Sequence, residues 1–443
     1  MQSKEKPMAN PNRYYLGKEE IQLDKDEERE KLVQRLRQYL DLRNVSLLIG
    51  NGASIPFGAP RIGDIAKLKD DFGQTRFQLD NEPSQKSAMA LLNVILKQTA
   101  GPVGVEPILG LLSHLQADMA VLGDKTSLLM NGTQVLLQDV QSLERFIKKW
   151  LYLRCRDLNT NTDDESLKYH RELFRRFLLR STSLPRLKLF TTNYDLLVEG
   201  ALDSLGVAYF DGFLGTMRRS LRTESYHYDL YFPGETTEGR VSRVDRVLQL
   251  YKLHGSINWR REKLKNRLDV IIDQQQPEDS EYGNVMVYPS PLKNTEMHGY
   301  PYSEMFRHFS TQIHQPQSVL FSLGYAFNDE HINRIIYQAL SIPSFELVVI
   351  LPSVGKPKDG EAQDSGSEVW RLINEVNSKR ILVVTGGEMV DGKGYVRGFG
   401  TLQGFSVDLM PDIKEMAIEQ RVKEETDKAF ELVAPKGGNP DGN

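Results

Sequence analysis

The stretch from Val45 to Pro60 constrains the fold of this chain most. It opens with the apolar run Val45 to Ile49 and turns at once into Gly50-Asn51-Gly52-Ala53-Ser54. A short apolar run that ends in glycines and small polar residues is typical of a buried parallel strand followed by a tight loop. Because glycine lacks a Cβ, this loop predicts a close approach of backbone amides to a nucleotide phosphate, assisted by the N-terminus of a following helix.

The same pattern also fits an ordinary strand turn. In dinucleotide-binding loops of the G-x-G-x-x-G type the sixth position is glycine, whereas this chain has Ile55 there. Dinucleotide binding and a purely structural turn are therefore both open on this segment alone.

The composition excludes several classes of protein. With 443 residues, 40% of them hydrophobic and 26% charged, the chain has room for a large globular core. Its net charge of -4 gives no overall basic field, so direct nucleic-acid contact is not indicated. Cys155 is the single cysteine, which excludes zinc sites built on cysteine pairs, and we expect no metal requirement. We expect a cytoplasmic protein without membrane contact, because no apolar run has the length of a membrane span or the character of a signal peptide.

The two ends of the chain differ in composition from its centre. Residues 1–44 predict a polar arm over 1–17 that orders only against a partner, then an amphipathic helix over 18–43. Residues 411–443 predict one charged helix, over 413–432, and a disordered Gly/Pro-rich tail.

Residues 45–410 predict an α/β fold with a Rossmann-like, doubly wound and mainly parallel sheet. A helical insertion at about 64–184 interrupts it, because helical periodicity dominates there and strand signals are nearly absent. The predicted strands are the apolar runs at 45–49, 187–192, 247–253, 285–288, 318–324, 347–352 and 381–385.

Three of these predicted strands end in polar residues. In open α/β sheets ligands bind beyond the carboxyl ends of the strands, so these positions are candidates for a site. Taken singly, each also has a structural explanation as a turn, a helix cap or a hydrogen-bonded histidine. Their joint occurrence favours a site. The three sequences are Thr191-Thr192-Asn193-Tyr194-Asp195, Leu253-His254-Gly255-Ser256 and Gly324-Tyr325-Ala326-Phe327-Asn328-Asp329.

In their order along the chain, these segments resemble the motifs of the sirtuin family. The segment 50–60 is similar to G-A-G-x-S-x-x-x-G-I-P, 191–195 to T-Q-N-I-D, and 253–256 to the L-H-G-S of the sirtuin catalytic histidine, while Gly324 falls where sirtuins carry G-T-S. The resemblance implies NAD as the ligand, His254 as the general base, and Asn193 and Asp195 at the nicotinamide ribose. It also implies NAD contacts by Gly50, Asn51, Gly52, Ala53, Ser54, Thr192, Gly324 and Tyr325.

Departures from the sirtuin pattern bear on the reaction. Sirtuin deacylases carry a zinc ribbon of two cysteine pairs, which a chain with Cys155 alone cannot form, and their D-F-R is replaced by Arg61-Ile62-Gly63. The segment from Gly324 to Ile332 is more similar to the G-Y-S-F-x-D-x-x-I of bacterial sirtuin-like proteins of anti-phage defence, which hydrolyse NAD. The resemblance therefore implies hydrolysis of NAD to nicotinamide and ADP-ribose.

Two other functions are open at this point. One is an NAD-dependent protein deacylase or ADP-ribosyltransferase that lacks zinc, and the other is a non-catalytic NAD or ADP-ribose sensor. Since a constitutive NAD hydrolase would be toxic to its own cell, we expect gating by a homo-oligomer or a partner. A sirtuin-like chain of this size resembles the subunit that pairs with a HerA-type hexameric ATPase. We expect the helix at 18–43 and the insertion to form the contact surfaces.

Overall fold

The computed structural model describes residues 9–60, 65–79, 82–98, 105–123, 127–130, 132–160, 164–232, 242–263, 269–273, 300–355, 367–390 and 393–411. Four features of the sequence analysis lie outside these residues: the Arg61-Ile62-Gly63 sequence, the predicted strand at 285–288, the predicted helix at 413–432 and the tail.

The strands are β1 (Ala9–Leu16), β2 (Glu19–Gln22), β3 (Asn44–Ile49), β4 (Ser127–Met130), β5 (Thr133–Leu136), β6 (Leu187–Thr191), β7 (Ala208–Phe210), β8 (Phe213–Leu214), β9 (Arg219–Leu221), β10 (Val247–Lys252), β11 (Trp259–Lys263), β12 (Asp269–Asp273), β13 (Ser318–Leu323), β14 (Phe345–Ile350), β15 (Ile381–Val390) and β16 (Gly394–Val396). The helices are α1 (Asp26–Leu40), α2 (Ile65–Phe72), α3 (Glu82–Gln98), α4 (Val105–Leu122), α5 (Leu137–Thr160), α6 (Asp164–Phe177), α7 (Leu197–Ser204), α8 (Tyr302–Ile313), α9 (Glu330–Ala339) and α10 (Ser367–Arg371). None of the described helices is long and apolar enough to cross a membrane.

The central sheet has the strand order of a doubly wound fold. Its path is β2-β1-β15-β14-β13-β3-β6-β10-β7, with β16 paired to β15 outside this path. Within the seven strands from β15 to β7, each adjacent pair is parallel. The chain runs from β3 outward to β6 and β10, then returns to the other side of β3 for β13, β14 and β15. This is the 3-2-1-4-5-6 order of Rossmann-like sheets, so the predicted fold class is confirmed, and the switch point lies between β3 and β13.

The buried strands explain why the sheet carries helices on both faces. Each residue of β3 is buried, and successive side chains of a strand point to opposite faces. Leu47 and Ile49 therefore join the core that packs against α1, α6 and α7, whereas Leu48 joins the core beneath α8 and α9. This two-sided packing holds the strand ends at one edge in fixed relative positions.

The N-terminal segment differs from its prediction. Residues Ala9–Leu16 form β1, which pairs antiparallel with β15 and continues into β2. Tyr14 and Tyr15 are buried in opposite cores, so this strand is anchored on both faces of the sheet. For these residues, the prediction of an arm that orders only against a partner is wrong. The predicted amphipathic helix is present as Asp26–Leu40, and its first residues belong to β2 instead.

The predicted insertion contains its own apolar core, with one unpredicted element. Helices α2 to α5 pack around residues such as Phe146 and Trp150, and β4 and β5 form a two-stranded antiparallel hairpin between them. Helix α6 also falls within 64–184, yet its Phe174 and Phe177 pack into the core of the central sheet. The limits of the domains stay a prediction.

Candidate active site

The loops after β3 and β13 meet at the switch point through backbone contacts. The amide of Gly50 donates to the carbonyl oxygen of Leu323 at 2.9 Å, and the amide of Gly52 donates to that of Gly324 at 2.8 Å. A Cβ on Gly50 would lie 2.5 Å from the Cα of Tyr325, and one on Gly324, which has a φ of +65°, would lie 2.5 Å from the nitrogen of Ala53. The glycines are therefore required for the two loops to pack together.

The predicted phosphate-binding amides already have protein acceptors. Gly50, Gly52, Ala53 and Ser54 each donate their backbone N–H to a carbonyl oxygen of the chain. The side chain of Asn51 donates to the carbonyl oxygen of Pro60 at 2.8 Å, which closes the loop on itself. In this conformation the glycine loop is a packed structural turn, and its contact with the NAD phosphates stays a prediction.

Asn193 has its amide fixed by the loop after β3. Its Nδ2 donates to the carbonyl oxygen of Gly50 at 3.2 Å and to Oγ of Ser54 at 2.9 Å. Because a carbonyl oxygen only accepts, this pairing sets which end of the amide is nitrogen. The other end, Oδ1, is buried and has no hydrogen-bond partner among the described residues. Thr191 completes the turn, since its hydroxyl accepts the backbone amide of Asn193 and donates to the carbonyl oxygen of Ile49.

Asp195 lies behind Asn193 in a buried polar network. Its carboxylate accepts the backbone amide of Leu197 at 3.1 Å and a hydrogen bond from the Ser54 hydroxyl. Burial raises the pKa of Asp195, and the nearby charge of Lys252 opposes that rise. Since Ser54 joins the Asn193 amide to this carboxylate, Asp195 supports the position of the amide.

Lys252 joins the same network from β10. Its Nζ donates to the backbone oxygen of Asp195 at 2.5 Å and to Oε1 of Glu199 at 2.9 Å. Burial raises the pKa of Glu199, while the charge of Lys252 favours its ionised form. The hydrogen bond to Asp195 ties the loop after β6 to the last residue of β10, and so fixes Asn193 relative to His254. The ion pair with Glu199 ties α7 to the same lysine.

His254 pairs with a carboxylate from the far side of the switch point. Its Nε2 lies 2.9 Å from Oδ2 of Asp329, and both side chains are buried. The other oxygen of Asp329 accepts the backbone amides of His331 and Ile332 and so caps α9. With Asp329 ionised and the ring neutral, this pairing places the ring proton on Nε2 and leaves the lone pair on Nδ1.

The remaining predicted ligands lie in the surrounding loops. The hydroxyl of Tyr325 lies 3.1 Å from the backbone oxygen of Asp329 and 2.8 Å from Oδ1 of Asn333, so it supports the loop that carries Asp329. The half-buried Thr192 donates its amide to the carbonyl oxygen of Ile49 at 3.1 Å. The NAD contacts assigned to Tyr325 and Thr192 stay predictions.

The structure brings Asn193, Asp195 and His254 to one edge of the sheet, and it adds residues that the sequence reasoning did not single out. These are Asp329, which pairs with His254, and the ion pair of Lys252 with Glu199. Asp329 was visible as the aspartate of the G-Y-x-F-x-D pattern, but its pairing with His254 was not. Within the described ranges, no cluster of three His, Cys, Asp or Glu residues is placed to hold a metal ion, and independence from metal stays a prediction.

Comparison with known proteins gives a family match over part of the chain. The model of the SIR2-like domain family matches residues 188–370, a region that holds Asn193, His254 and Asp329 but not the glycine loop after β3. No curated protein matches the chain. A solved structure of a Sir2 homologue triple mutant, in complex with 2'-O-acetyl ADP ribose, is 13% identical and has a TM-score of 0.31. That alignment covers 77% of this chain and 95% of the other.

Proposed function

We propose that this sirtuin-like chain hydrolyses NAD to nicotinamide and ADP-ribose. The observation that carries the proposal is the buried Oδ1 of Asn193, which has no hydrogen-bond partner in the described part of the chain. Leaving a buried acceptor unpaired costs about 1–3 kcal/mol, so this oxygen favours a donor that the described residues do not supply. A ribose hydroxyl or the attacking water is such a donor.

The reaction makes specific demands that these side chains meet. The bond between C1' of the ribose and the nicotinamide nitrogen breaks, and its electron pair neutralises the pyridinium ring. The oxocarbenium-like transition state carries positive charge at C1', which the partial negative charge of the fixed Asn193 Oδ1 stabilises. The water oxygen then bonds to C1', and its proton passes to Nδ1 of His254 and on to solvent.

Asp195 and Asp329 act on this reaction indirectly. Asp329 holds the tautomer of His254 in which Nδ1 is the proton acceptor, and it stabilises the imidazolium that forms. Asp195 supports the Asn193 amide through Ser54. We therefore assign Asp195 a positioning role, where the sirtuin resemblance implied a place at the nicotinamide ribose.

The alternatives receive less support from this arrangement. A sensor of NAD or ADP-ribose has no need of an oriented base, so the pairing of His254 with Asp329 favours catalysis. A deacylase or ADP-ribosyltransferase that lacks zinc would also need a cleft for a peptide or protein acceptor, and none of the contacts described above points to one.

The test is NAD consumption by the purified protein, with products separated by chromatography. We expect nicotinamide and ADP-ribose from the wild type and at least a 100-fold lower rate from Asn193→Ala and His254→Ala. His314→Ala is the matched control, because His314 lies at the end of α8 and bonds to the backbone of Ser310. ADP-ribose binding is measured in parallel. Equal turnover by wild type and both site variants would contradict the proposal, and binding without turnover in the wild type would favour the sensor.

We further propose that the activity is gated by assembly, in a homo-oligomer or with a HerA-type ATPase, during bacterial anti-phage defence. The support is the resemblance of residues 324–332 to defence-associated proteins, together with the toxicity of unregulated NAD loss. NAD hydrolysis is compared for the chain alone and with the ATPase. The protein concentrations cover the range over which mass photometry shows the change from monomer to assembly. A rate per chain that is the same in the monomer and in every assembly would contradict gating.

A further inference from the structure

A cavity lies at the opposite edge of the central sheet, at the amino ends of β6 and β10. Its volume is about 420 Å³, and it is lined by residues 177–187 except Ser183 and by Asp245, Arg246 and Val247. Asn193 and His254 follow the carboxyl ends of the same two strands, so the length of a strand, about 16 Å, separates the cavity from the candidate active site. Cavities of about 300–1,000 Å³ are large enough to hold a small molecule.

The first notable cation at this cavity is Arg180, which bonds to backbone oxygens and receives only a longer-range attraction from Asp41. Its guanidinium donates to four backbone oxygens, those of Leu40, Leu42, Arg43 and Pro185. None of the described carboxylates lies within ion-pair distance of it. Burial lowers the pKa of Arg180 to about 10, so it is still charged at neutral pH. Carbonyl dipoles orient this charge but do not cancel it.

Two further arginines share one carboxylate. Arg186 and Arg243 both bond to Asp229, and Arg243 also donates to the backbone oxygens of Thr182 and Leu184. Although burial alone would raise it, these hydrogen bonds hold the pKa of Asp229 below its usual value. The buried Nη2 of Arg186 lies 2.8 Å from Asp229 yet makes no well-aligned hydrogen bond with a described residue. One positive charge and part of the donor capacity of Arg186 are left over.

Arg246 completes the cluster at the rim of the cavity. It is exposed, and its φ of +52° lies in the left-handed region, which costs a non-glycine residue of order 1 kcal/mol. Asp245 is its acidic neighbour in the lining. Across the cavity and its immediate wall, four arginines therefore face three aspartates, Asp41, Asp229 and Asp245, which leaves an excess of positive charge on a chain whose net charge is -4.

We propose that this cavity binds a small phosphate-bearing anion, such as the pyrophosphate group of a nucleotide, at a site separate from the candidate active site. The guanidinium fork matches phosphate oxygens in geometry and charge. A cavity of this size fits a small molecule, whereas a nucleic-acid backbone requires an extended basic surface. The proposal does not depend on NAD hydrolysis, since it rests on residues at the other edge of the sheet.

The test uses inorganic pyrophosphate as the probe, titrated against the full chain by ³¹P NMR and calorimetry. Arg246→Gln removes an exposed cation at the rim, and Arg186→Gln removes the cation with unused donor capacity. Each lost charge-assisted hydrogen bond is expected to raise the Kd by about 10-fold to 100-fold. Arg175→Gln is the control, because Arg175 is an exposed arginine of α6 outside the cavity lining, and its Kd is expected to stay within about 2-fold of wild type.

Three results would overturn the proposal. One is an unchanged Kd in Arg246→Gln and in a folded Arg186→Gln, and another is equal weakening in Arg175→Gln, which would indicate a general charge effect. The third is loss of pyrophosphate binding in Asn193→Ala, since binding would then belong to the candidate active site. A duplex oligonucleotide is titrated alongside. Arg246-dependent oligonucleotide binding without pyrophosphate binding would likewise contradict a small-molecule site.

Discussion

Replacing Asp329 by asparagine changes the hydrogen-bonding chemistry at one position while it keeps the shape of the side chain. In the wild type, Oδ2 of Asp329 lies 2.9 Å from Nε2 of His254, where the proposed mechanism has Nε2 as the donor, and Oδ1 caps α9. In Asp329→Asn, Oδ1 can still accept the two backbone amides, because asparagine and aspartate are about equally good N-caps. Its Nδ2 then faces His254 as a donor, and the imidazole must turn Nε2 into the acceptor.

The size of the effect follows from this geometry. A hydrogen bond to a charged group contributes about 1.5–3 kcal/mol, and in the wild type this energy favours the tautomer with the proton on Nε2. In Asp329→Asn the preference for that tautomer is lost or reversed. The transition state also loses the carboxylate beside the forming imidazolium, an attraction of at most about 6 kcal/mol at 2.9 Å with an effective dielectric constant of 20. Desolvation reduces this second contribution. We expect kcat to fall by about 10³-fold to 10⁴-fold, or about 4–5.5 kcal/mol of transition-state stabilisation.

The assay combines kinetics, stability and the tautomer itself. We expect KM for NAD to change by less than about 3-fold, because Asp329 is not proposed to contact NAD, and the unfolding free energy to fall by less than about 1 kcal/mol. The ¹⁵N chemical shifts of His254 are expected to show the proton moving from Nε2 to Nδ1. Glu330→Gln is the control, since it removes an exposed carboxylate from the first turn of α9 without touching the pair.

The reasoning about Asp329 would be refuted by a folded Asp329→Asn protein with kcat within about 10-fold of wild type. It would also be refuted by ¹⁵N shifts that place the proton on Nε2 in both proteins. The NMR measurement needs no turnover, so it tests the pairing even if NAD is not the substrate.

Three further predictions concern stability. Gly324→Ala is expected to destabilise the fold in urea unfolding by at least 2 kcal/mol more than Gly206→Ala. Both glycines have a left-handed φ, but only at Gly324 would an added Cβ lie within 3 Å of backbone atoms. Equal losses of stability would contradict this. Lys252→Met should lower the free energy of unfolding by about 3–5 kcal/mol, because it leaves Glu199 buried without its cation. The double variant with Glu199→Gln should regain part of that stability, and no gain would argue against the ion pair. Burial lowers the pKa of His308 from 6.5 to about 4, so the unfolded chain binds the proton first and stability falls as pH drops from 7 to 4. Full linkage gives a loss of about 3 kcal/mol, which solvent screening of the half-buried ring reduces, and the loss should be smaller in His308→Gln.

The central sheet was predictable because its strands are buried on both faces. Runs such as 318–324 and 347–352 are nearly continuous in apolar residues, which is the pattern that helices on both sides of a parallel sheet require. Their alternation with helical segments gave the doubly wound topology without knowledge of any contact. Each of the described predicted strands is present at the predicted position within a few residues.

The unpredicted strands lack that pattern. In β1 the segment Ala9–Leu16 has four apolar residues in eight and no regular alternation, and its strand conformation depends on the free edge of β15, which lies more than 360 residues away in sequence. The hairpin of β4 and β5 has four residues in each strand and buries only Val135 fully, so its signal is weak beside the helices that flank it. Local sequence does not specify structure that a distant partner supplies.

In the candidate site, too, local sequence predicted some residues, whereas a contact between distant segments was not predictable. Asn193 and His254 were found because each follows a strand whose end the sequence marks, and the doubly wound order brings those ends together. Asp329 follows β13, and three strand spacings, about 14 Å, separate the ends of β13 and β10 in the sheet. The loop 324–329 crosses this gap because Gly324 and Phe327 take left-handed conformations and Tyr325 anchors it to α9. A sequence pattern can mark such an aspartate as unusual, but only the path of the loop shows that it reaches the histidine.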